Sequence, residues 1–384
     1  MTELYKSEKR RVRNVFHVLL LSSLAMGIVQ AAGWQIGTVD GGFGGRFSSL
    51  RLDTYGNAHV VSFSPSQNQL RYSFWDHNLK KWFTADLGYS SGFCSIVLDS
   101  KQRPHVSYPN GTGQVKWAYF DGDSWQVWTA PNQARIISYY TSITLDSQDN
   151  PSISFYEEAG AGDYQRRLRI VTWNGKFWAV QTVDGDQGSG KFNSMATDSA
   201  GYPEIAYGNV DYKNASLRYA RWNGKSWAIE VLEGEGEPGT NMWSVSMVLD
   251  KSDVPHIAYT DLRKRVVKYA TKMNGKWQFE VVDSLANVSY ADRNGIALDG
   301  KGNPYISYYD GGLALLKVAH QKDHKWVTEV VDQGSVGVTS SLQIYQGTMW
   351  VTYSDASGDS LMFARRAIEQ ADSSGQEGPL TTGK

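Results

Sequence analysis

An internal repeat constrains the fold of this chain more than any other feature. Six segments share two short apolar stretches around a turn that carries an aspartate, and a seventh copy has tyrosine in its place. The anchoring residues are Asp53, Asp99, Asp146, Asp198, Asp250, Asp299 and Tyr345, at spacings of 46 to 52 residues. Repeats of this period are typical of propeller blades, and the short apolar stretches favour strands.

Each repeat continues with a second hairpin. Three of these hairpins contain Asn-Gly, at 174–175, 223–224 and 274–275. Both residues tolerate the positive φ angles of a tight hairpin turn. One unit thus supplies four strands, named A to D outward from a central channel, in about 50 residues. We predict an all-β fold over residues 32–368, a seven-bladed β-propeller of four-stranded blades without helices.

The count of tryptophans predicts how the ring closes. Strand D opens with a tryptophan in six units, against seven copies of the A–B hairpin, and the last unit ends after strand C, "LMFARRA". The segment "WQIGTVD", Trp34 to Asp40, matches the strands D "WQFEVVD" and "WVTEVVD". We therefore predict that the N-terminal strand completes the last blade, a closure that removes the open ends of the ring.

The N-terminus predicts export. Five basic residues precede an apolar run from Val15 to Val29, and small residues follow up to Ala31. This order describes a signal peptide, and the run is shorter than the roughly 20 residues that span a bilayer. We expect cleavage after Ala31 and a secreted, periplasmic or cell-surface protein, with an uncleaved anchor as the alternative. The polar tail, residues 369–384, is expected to be disordered.

Composition and missing motifs exclude several functions. Removal of residues 1–31 takes the formal charge from −1 to −4, too weak a balance for a nucleic-acid or anionic-membrane partner. Cys94 is the only cysteine, so no intrachain disulfide can form. Zinc-ligand spacing, a haem motif, a phosphate-binding loop and a nucleophile elbow are all missing. We predict a monomer with no cofactor, no metal and no membrane insertion after cleavage.

The repeat resembles those of exported bacterial β-propellers of the sialidase-like, Asp-box type, and more loosely the propeller lectins that bind fucose and related sugars. The residues Gly175–Trp178 and Gly224–Trp227 match the second half of the Asp box, Ser-x-Asp-x-Gly-x-x-Trp, whose Asp-x-Gly is missing here. The resemblance covers residues 33–367 and implies the propeller architecture. In that family the box itself is structural, so the resemblance implies no catalytic residue.

The face that carries the D–A and B–C loops, called the upper face below, is the expected binding face. The repeat places there an aromatic residue, one further residue, and then an acid or amide: Asn110, Glu157, Asn209, Asp261, Asp310 and Asp355. These side chains form either a polar ring for a cation or sugar hydroxyls, or caps of their own turns. The second interpretation is favoured, because a feature of nearly every blade usually serves the blade.

Departures from the repeat indicate a site more specifically. Blade 3 has an enlarged B–C loop, and the loop before blade 5 adds a tryptophan. Aromatic side chains beside acids and amides suit carbohydrate binding, although exposed aromatics also pack under long loops. The candidate ligand-binding residues are Glu157, Asp163, Tyr164, Arg166, Tyr212, Trp243, Asp261, Asp310 and Asp355.

We predict an exported, non-catalytic binding or scaffold protein whose partner is a glycan or an envelope protein. A sialidase-like glycoside hydrolase and a purely structural surface protein are the alternatives. The hydrolase would need three arginines around a carboxylate, a Tyr–Glu nucleophile pair and an acid Asp at one point. Four arginines fall in or near face loops: Arg46, Arg135, Arg263 and Arg293. Their scatter over separate blades would contradict the hydrolase.

Overall fold

The protein is described by a computed structural model over residues 29–31, 33–42, 44–131, 136–159, 165–211, 215–234, 242–287, 293–334, 336–355 and 360–368. These residues form 29 strands and no helix. None of them therefore contributes a helix long and apolar enough to cross a membrane. Residues 1–28 of the predicted signal peptide and the tail 369–384 lie outside the described residues.

Six blades are consecutive antiparallel four-stranded sheets in the order A-B-C-D. Blades 1 to 3 consist of β3 (Arg46–Leu52), β4 (Ala58–Ser64), β5 (Gln69–Asp76) and β6 (Lys81–Tyr89); β7 (Ser95–Leu98), β8 (Pro104–Pro109), β9 (Val115–Phe120) and β10 (Trp125–Thr129); β11 (Ile136–Leu145), β12 (Pro151–Ala159), β13 (Arg166–Trp173) and β14 (Trp178–Asp184). Blades 4 to 6 consist of β15 (Ser189–Thr197), β16 (Pro203–Asn209), β17 (Ser216–Trp222) and β18 (Trp227–Glu233); β19 (Met242–Leu249), β20 (Pro255–Asp261), β21 (Val266–Met273) and β22 (Lys276–Ser284); β23 (Gly295–Leu298), β24 (Pro304–Asp310), β25 (Leu315–Lys322) and β26 (Lys325–Gln333).

The seventh sheet combines both ends of the described chain. Its strands are β27 (Val336–Tyr345), β28 (Thr348–Asp355), β29 (Ser360–Ala367) and β2 (Trp34–Gly41), and β1 (Val29–Ala31) lies outside β2. Strand β2 runs antiparallel to β29, with Ile36 opposite Ala364. At Gly37 a Cβ atom would lie 2.7 Å from the Phe363 ring, so any larger residue would have to displace that ring.

The innermost strands contact one another in a ring. Each strand A contacts strand A of the next blade, from β3 through β7, β11, β15, β19, β23 and β27 and back to β3. The structure is a seven-bladed β-propeller, as predicted. Apolar cores lie between neighbouring blades; one combines Val267 and Tyr269 of blade 5 with Ile306 and Tyr308 of blade 6. Strand B is therefore buried on both faces, whereas strand D alternates between exposed and partly buried positions.

A serine that opens the repeat links strand A of one blade to strand A of the next. Its Oγ accepts the backbone N–H of the following blade at Ser49–Ile96 (3.3 Å), Ser95–Ile143 (3.4 Å), Ser142–Met195 (3.0 Å), Ser194–Met247 (3.0 Å) and Ser341–Leu50 (3.1 Å). Gly295 stands at this position in blade 6, where a Cβ would lie 2.6 Å from the Leu342 nitrogen. The serines thus satisfy buried N–H groups along the channel wall.

The anchoring aspartates close the A–B turns on the lower face. Asp53 Oδ1 accepts the N–H groups of Tyr55 and Asn57 at 2.9 and 2.8 Å. The other anchoring aspartates accept the N–H groups two and four residues ahead in the same way. These side chains replace the hydrogen bonds that the turn backbone lacks. The recurring aspartate is therefore a turn element.

We predict that Trp34→Ala strongly destabilises the protein. The Trp34 side chain is 0% exposed and packs in the core between blades 6 and 7, with Arg366 5.0 Å from its ring. Loss of a buried tryptophan costs about 3–5 kcal/mol. Trp128→Ala is the matched control, because Trp128 is 55% exposed on strand D of blade 2 and should cost about 0.5 kcal/mol or less. Equal free energies of unfolding for the two variants in denaturant titrations would contradict this account.

Candidate functional site

Strand A has a repeated β-bulge close to the upper face. The pairing of strands A and B shifts register between Arg46 and Ser49 in blade 1, and at the equivalent places of blades 3, 4, 5 and 7. Four bulge residues have left-handed φ angles: Phe47 (54°), Tyr140 (55°), Phe192 (51°) and Ser244 (58°). This conformation is unfavourable for bulky side chains and occurs preferentially where surrounding structure and function require it.

Four of these bulges and the segment before strand A of blade 2 bring five aromatic side chains together. Phe47, Phe93, Tyr140, Phe192 and Trp243, one from each of blades 1 to 5, form what we call the channel cluster. Ring centroids of successive members are 3.8, 4.1, 4.5 and 4.4 Å apart. Phe192 is buried, and the other four rings are partly exposed. The channel wall therefore presents an aromatic surface that is continuous across five blades.

Side chains of the next blade hold this surface in place. Cys94 Sγ donates to the Phe47 carbonyl at 3.2 Å, and Thr141 Oγ1 donates to the Phe93 carbonyl at 3.2 Å. Asn193 Nδ2 donates to the Tyr140 carbonyl in the same way. A bulge leaves backbone groups outside the sheet ladder, and buried carbonyls require another donor. The backbone of Phe47, Phe93 and Tyr140 is thus held by the residue that follows the next ring.

Arg293 completes the cluster from the opposite side of the channel. Its Nη1 donates to the Cys94 carbonyl at 3.0 Å, which links blade 6 to blade 2. A small cavity beside it has room for about one water molecule. The lining residues are Phe93, Tyr140, Thr141, Phe192, Asn193, Ser244, Val245 and Arg293. This arrangement combines aromatic faces with one cationic donor, a combination that can stack on a sugar ring and hydrogen-bond its oxygens.

The tyrosines of the predicted aromatic–x–acid motif lie at the junctions between blades. Their hydroxyl groups donate to a carboxylate at the end of strand D of the preceding blade, in Tyr207–Asp184 (2.7 Å), Tyr308–Asp283 (2.8 Å), Tyr353–Asp332 (2.5 Å) and Tyr259–Glu233. A cation from strand C joins three of these pairs: Arg218, Lys317 and Lys268. Burial, and secondarily the neighbouring carboxylate, raises the pKa of each of these tyrosines; for Tyr353 the hydrogen bond to Asp332 is the larger of the two carboxylate effects.

The acids of that motif accept hydrogen bonds from nearby backbone. The buried Asp310 accepts the N–H groups of Ala286 and Gly312, both at 3.2 Å, and the buried Asp261 accepts that of Lys264 at 3.0 Å. Asp355 accepts the N–H of Ser360 at 3.2 Å. These contacts are those expected of turn caps. Among the described residues, no group of three metal-ligating side chains occurs.

The remaining predicted site residues are dispersed. Glu157 is buried and pairs with Arg167 and Arg169, whereas Arg166 pairs with Glu158. Asp163, Tyr164 and Tyr212 lie outside the described residues. Of the predicted residues that the structure describes, Trp243 alone belongs to the channel cluster. Ligand binding by the other candidates stays a prediction.

Four members of the channel cluster were not identified from the sequence: Phe47, Phe93, Tyr140 and Phe192. A signal was nevertheless present, because each stands two residues before the serine that opens its repeat. This aromatic position lies outside the repeat pattern, which begins at the serine. Trp243, three residues before Ser246, was selected only because its loop departs from the repeat.

We predict that Glu233→Gln lowers the melting temperature of the protein at pH 7. We also predict that the melting temperature of the variant depends less on pH in the acidic range. Burial raises the pKa of Glu233, but hydrogen bonds from Lys268 and Tyr259 outweigh that effect and hold the pKa below its ordinary value. The contribution of Glu233 is therefore present above about pH 4.3, the ordinary glutamate pKa, and is lost as the pH falls through the lower folded pKa. Removal of this partner should cost about 1–3 kcal/mol at neutral pH.

The measurement is the melting temperature of wild type and variant between pH 7 and pH 3. The exposed turn substitution Asp123→Asn is the control and should follow the wild type. If the melting temperatures of wild type and Glu233→Gln differed by the same amount over this range, the contacts of Glu233 with Lys268 and Tyr259 would not be the source of the pH dependence.

Comparison with solved structures shows that the fold of this chain is similar to that of other propeller proteins. No protein-family model and no characterised protein sequence matches the chain. An ulvan lyase of polysaccharide lyase family 25 is similar in structure, with a TM-score of 0.57, 13% identity, and coverage of 85% of this chain and 94% of the lyase. A fucose-specific lectin from Aleuria aurantia has a TM-score of 0.51 and 14% identity, with coverage of 76% and 97%. The β-propeller domain of Cps50 (Swd1) from Myceliophthora thermophila has a TM-score of 0.57 and 10% identity, with coverage of 87% and 100%. At these identities the similarity establishes the propeller fold.

Proposed function

We propose that this protein binds a carbohydrate through the channel cluster and does so without catalysis. The observation that carries the proposal is the continuous row of five aromatic rings on the channel wall, four of them partly exposed. Aromatic faces bind the apolar faces of sugar rings, and few polar groups are needed to orient the ligand. Arg293 supplies a charged donor at the edge of this surface.

Two comparisons are compatible with this proposal. One similar structure is a polysaccharide lyase and another is a fucose-specific lectin. Propellers serve many unrelated purposes, however, so the fold alone does not select a ligand. The proposal therefore depends on the channel cluster, and an envelope protein is the alternative partner.

The disposition of the charged residues argues against the sialidase-like alternative. Arg293 reaches the channel, whereas Arg166 and Arg167 pair with glutamates within blade 3. The Tyr–acid pairs of the described residues are buried between blades, and the raised pKa of each tyrosine disfavours the anionic form that a nucleophile requires. A convergent catalytic group is thus not supported by the described residues.

Export and a position outside the cytoplasm belong to the same proposal. They rest on the basic residues, apolar run and small residues at 1–31. An exported propeller with a glycan site would meet its ligand at the cell envelope or beyond it. Sequencing the N-terminus of the protein recovered from the producing cells tests the predicted cleavage after Ala31.

We predict that Phe93→Leu weakens glycan binding about tenfold or more. Phe93 stacks on Phe47 and packs against Tyr140, so leucine interrupts the aromatic surface while retaining apolar bulk. Loss of a central aromatic contact commonly costs 1–2 kcal/mol or more in binding, roughly a tenfold change in affinity. Trp128→Leu is the control, because it removes an exposed aromatic ring from strand D of blade 2, at the outer edge of the propeller.

The measurement is a glycan array followed by titration of the best ligand, with a hydrolysis and elimination screen on the same glycans. Binding without turnover supports the proposal. Turnover would contradict the non-catalytic assignment. Absence of binding to any glycan on the array would contradict the carbohydrate ligand. Equal losses of glycan affinity in Phe93→Leu and Trp128→Leu would show that binding does not depend on the channel cluster.

A further inference from the structure

The junction between blades 1 and 2 lacks the acid that ends strand D at other junctions. The ladder of strands C and D pairs Gly88 with Leu70, and at this register position five other blades have an acid: Asp40, Asp184, Glu233, Asp283 and Asp332. A Cβ atom at Gly88 would have no other atom within 4 Å. The place of the acid is therefore open.

The cation that pairs with this acid elsewhere is retained. Lys116 of β9 lies opposite Tyr108 of β8 in the ladder. Lys317 has the same position in blade 6, where its Nζ lies 3.1 Å from both Asp283 and Asp310. A lysine at this position thus normally has two counterions, one from the preceding blade and one from its own.

Both counterions are missing beside Lys116. Gly88 replaces the first acid, and Asn110 has the position that Asp310 has in blade 6. Within the part of the chain that the structure describes, the partly buried Lys116 donates to Thr129 Oγ1 and forms no ion pair. An ammonium group has three donors, so Lys116 retains donors for a ligand.

The hydroxyl group of Tyr108 has also lost its usual acceptor. It donates to the Leu87 carbonyl at 3.3 Å, whereas the equivalent tyrosines of blades 4, 6 and 7 donate to a carboxylate at 2.7, 2.8 and 2.5 Å. Burial raises the pKa of Tyr108 to about 12, so the hydroxyl group remains a donor. Because Leu87 directly precedes Gly88, Tyr108 and its cross-strand neighbour Lys116 face the open place.

An exposed aromatic ring lies at the edge of this gap. Tyr89 follows Gly88 at the end of β6 and is 57% exposed. Its ring lies against the B–C loop of blade 2, because a Cβ atom at Gly111, next to Asn110, would be 1.8 Å from Tyr89 Cε1. The equivalent residues of the other blades are small or polar: Gly41, Gly185, Gly234, Ser284 and Gln333. The construction of a blade therefore does not explain Tyr89.

We propose that the gap between blades 1 and 2 binds the carboxylate of a small ligand, with Lys116 Nζ and the Tyr108 hydroxyl group as donors. The ligand carboxylate takes the place of the missing acid and forms a charge-assisted hydrogen bond with the ammonium group. The ring of Tyr89 offers a face for the part of the ligand that carries the carboxylate. This site is built from strands B, C and D, apart from the channel cluster, and does not depend on the proposed carbohydrate function.

The experiment measures the melting temperature of the full chain at constant ionic strength. Chloride is replaced stepwise by acetate or by glucuronate up to 0.1 M, and glucose is the uncharged comparison. For the wild type we expect a saturable rise of roughly 2–4 °C with a carboxylate, because a ligand that binds only the folded state stabilises it. Glucose should give no such rise.

Lys116→Met is the test variant and should lose the rise. It copies Met362, which has this position in blade 7 and accepts the Thr38 hydroxyl at 3.4 Å, so the blade has a precedent for methionine here. Lys101→Met is the matched control, because Lys101 is exposed on the A–B turn of the same blade, and should respond as the wild type does.

Asn110→Asp is a second variant that keeps Lys116 and returns an acid to its side. It should melt higher than the wild type in chloride and should lose the rise, and it decides alone if Lys116→Met does not fold. A rise with acetate identifies any small carboxylate as the ligand, whereas a rise with glucuronate alone identifies a sugar acid. The proposal is overturned if the wild type shows no rise, if glucose acts as glucuronate does, or if the folded variants respond as the wild type does.

Discussion

The antiparallel pairing of β2 with β29 is the interaction on which the rest of the structure depends. A blade buries its two faces only against its neighbours, so the faces of blades 1 and 7 meet only when the ring is closed. The core at this junction joins Val39 and Leu50 to Trp350 and Phe363. Asp40, at the end of β2, pairs with Arg71 of blade 1, and the acids at the ends of strands D in blades 3 to 5 pair with cations in the same way. The joint between the two ends of the chain is thus built as the other junctions are.

The channel cluster depends on this closed ring. Three of its five aromatic residues are held by a side chain of the next blade, and Arg293 reaches across to blade 2. The left-handed bulge residues are unfavourable by themselves, so the fixed spacing of the blades must maintain them. Because the fold already fixes these side chains, the proposed carbohydrate site would lose little entropy on binding.

Most of the fold could be predicted from the sequence, because the repeat and the Asn-Gly turns are local signals that recur along the chain. The candidate site could be predicted only in part. Asp261 and Asp310 were recognised by their spacing, but whether they face the channel or their own turns depends on the register of strands B and C. Trp243 was noticed as an irregularity. Its contact with Phe192 depends on the angle between blades 4 and 5, which no local pattern contains.

The sequence by itself determined the number of blades, the four strands of each blade and the strand that remained for the last one. These properties follow from a period, from turn residues and from a count of tryptophans. Only the tertiary structure decided which side chains share the channel. Phe47 and Trp243 stand almost 200 residues apart in the chain and join the same aromatic surface because strands A converge on one axis. Convergence on an axis is a property of the closed ring, and a single repeat does not specify it.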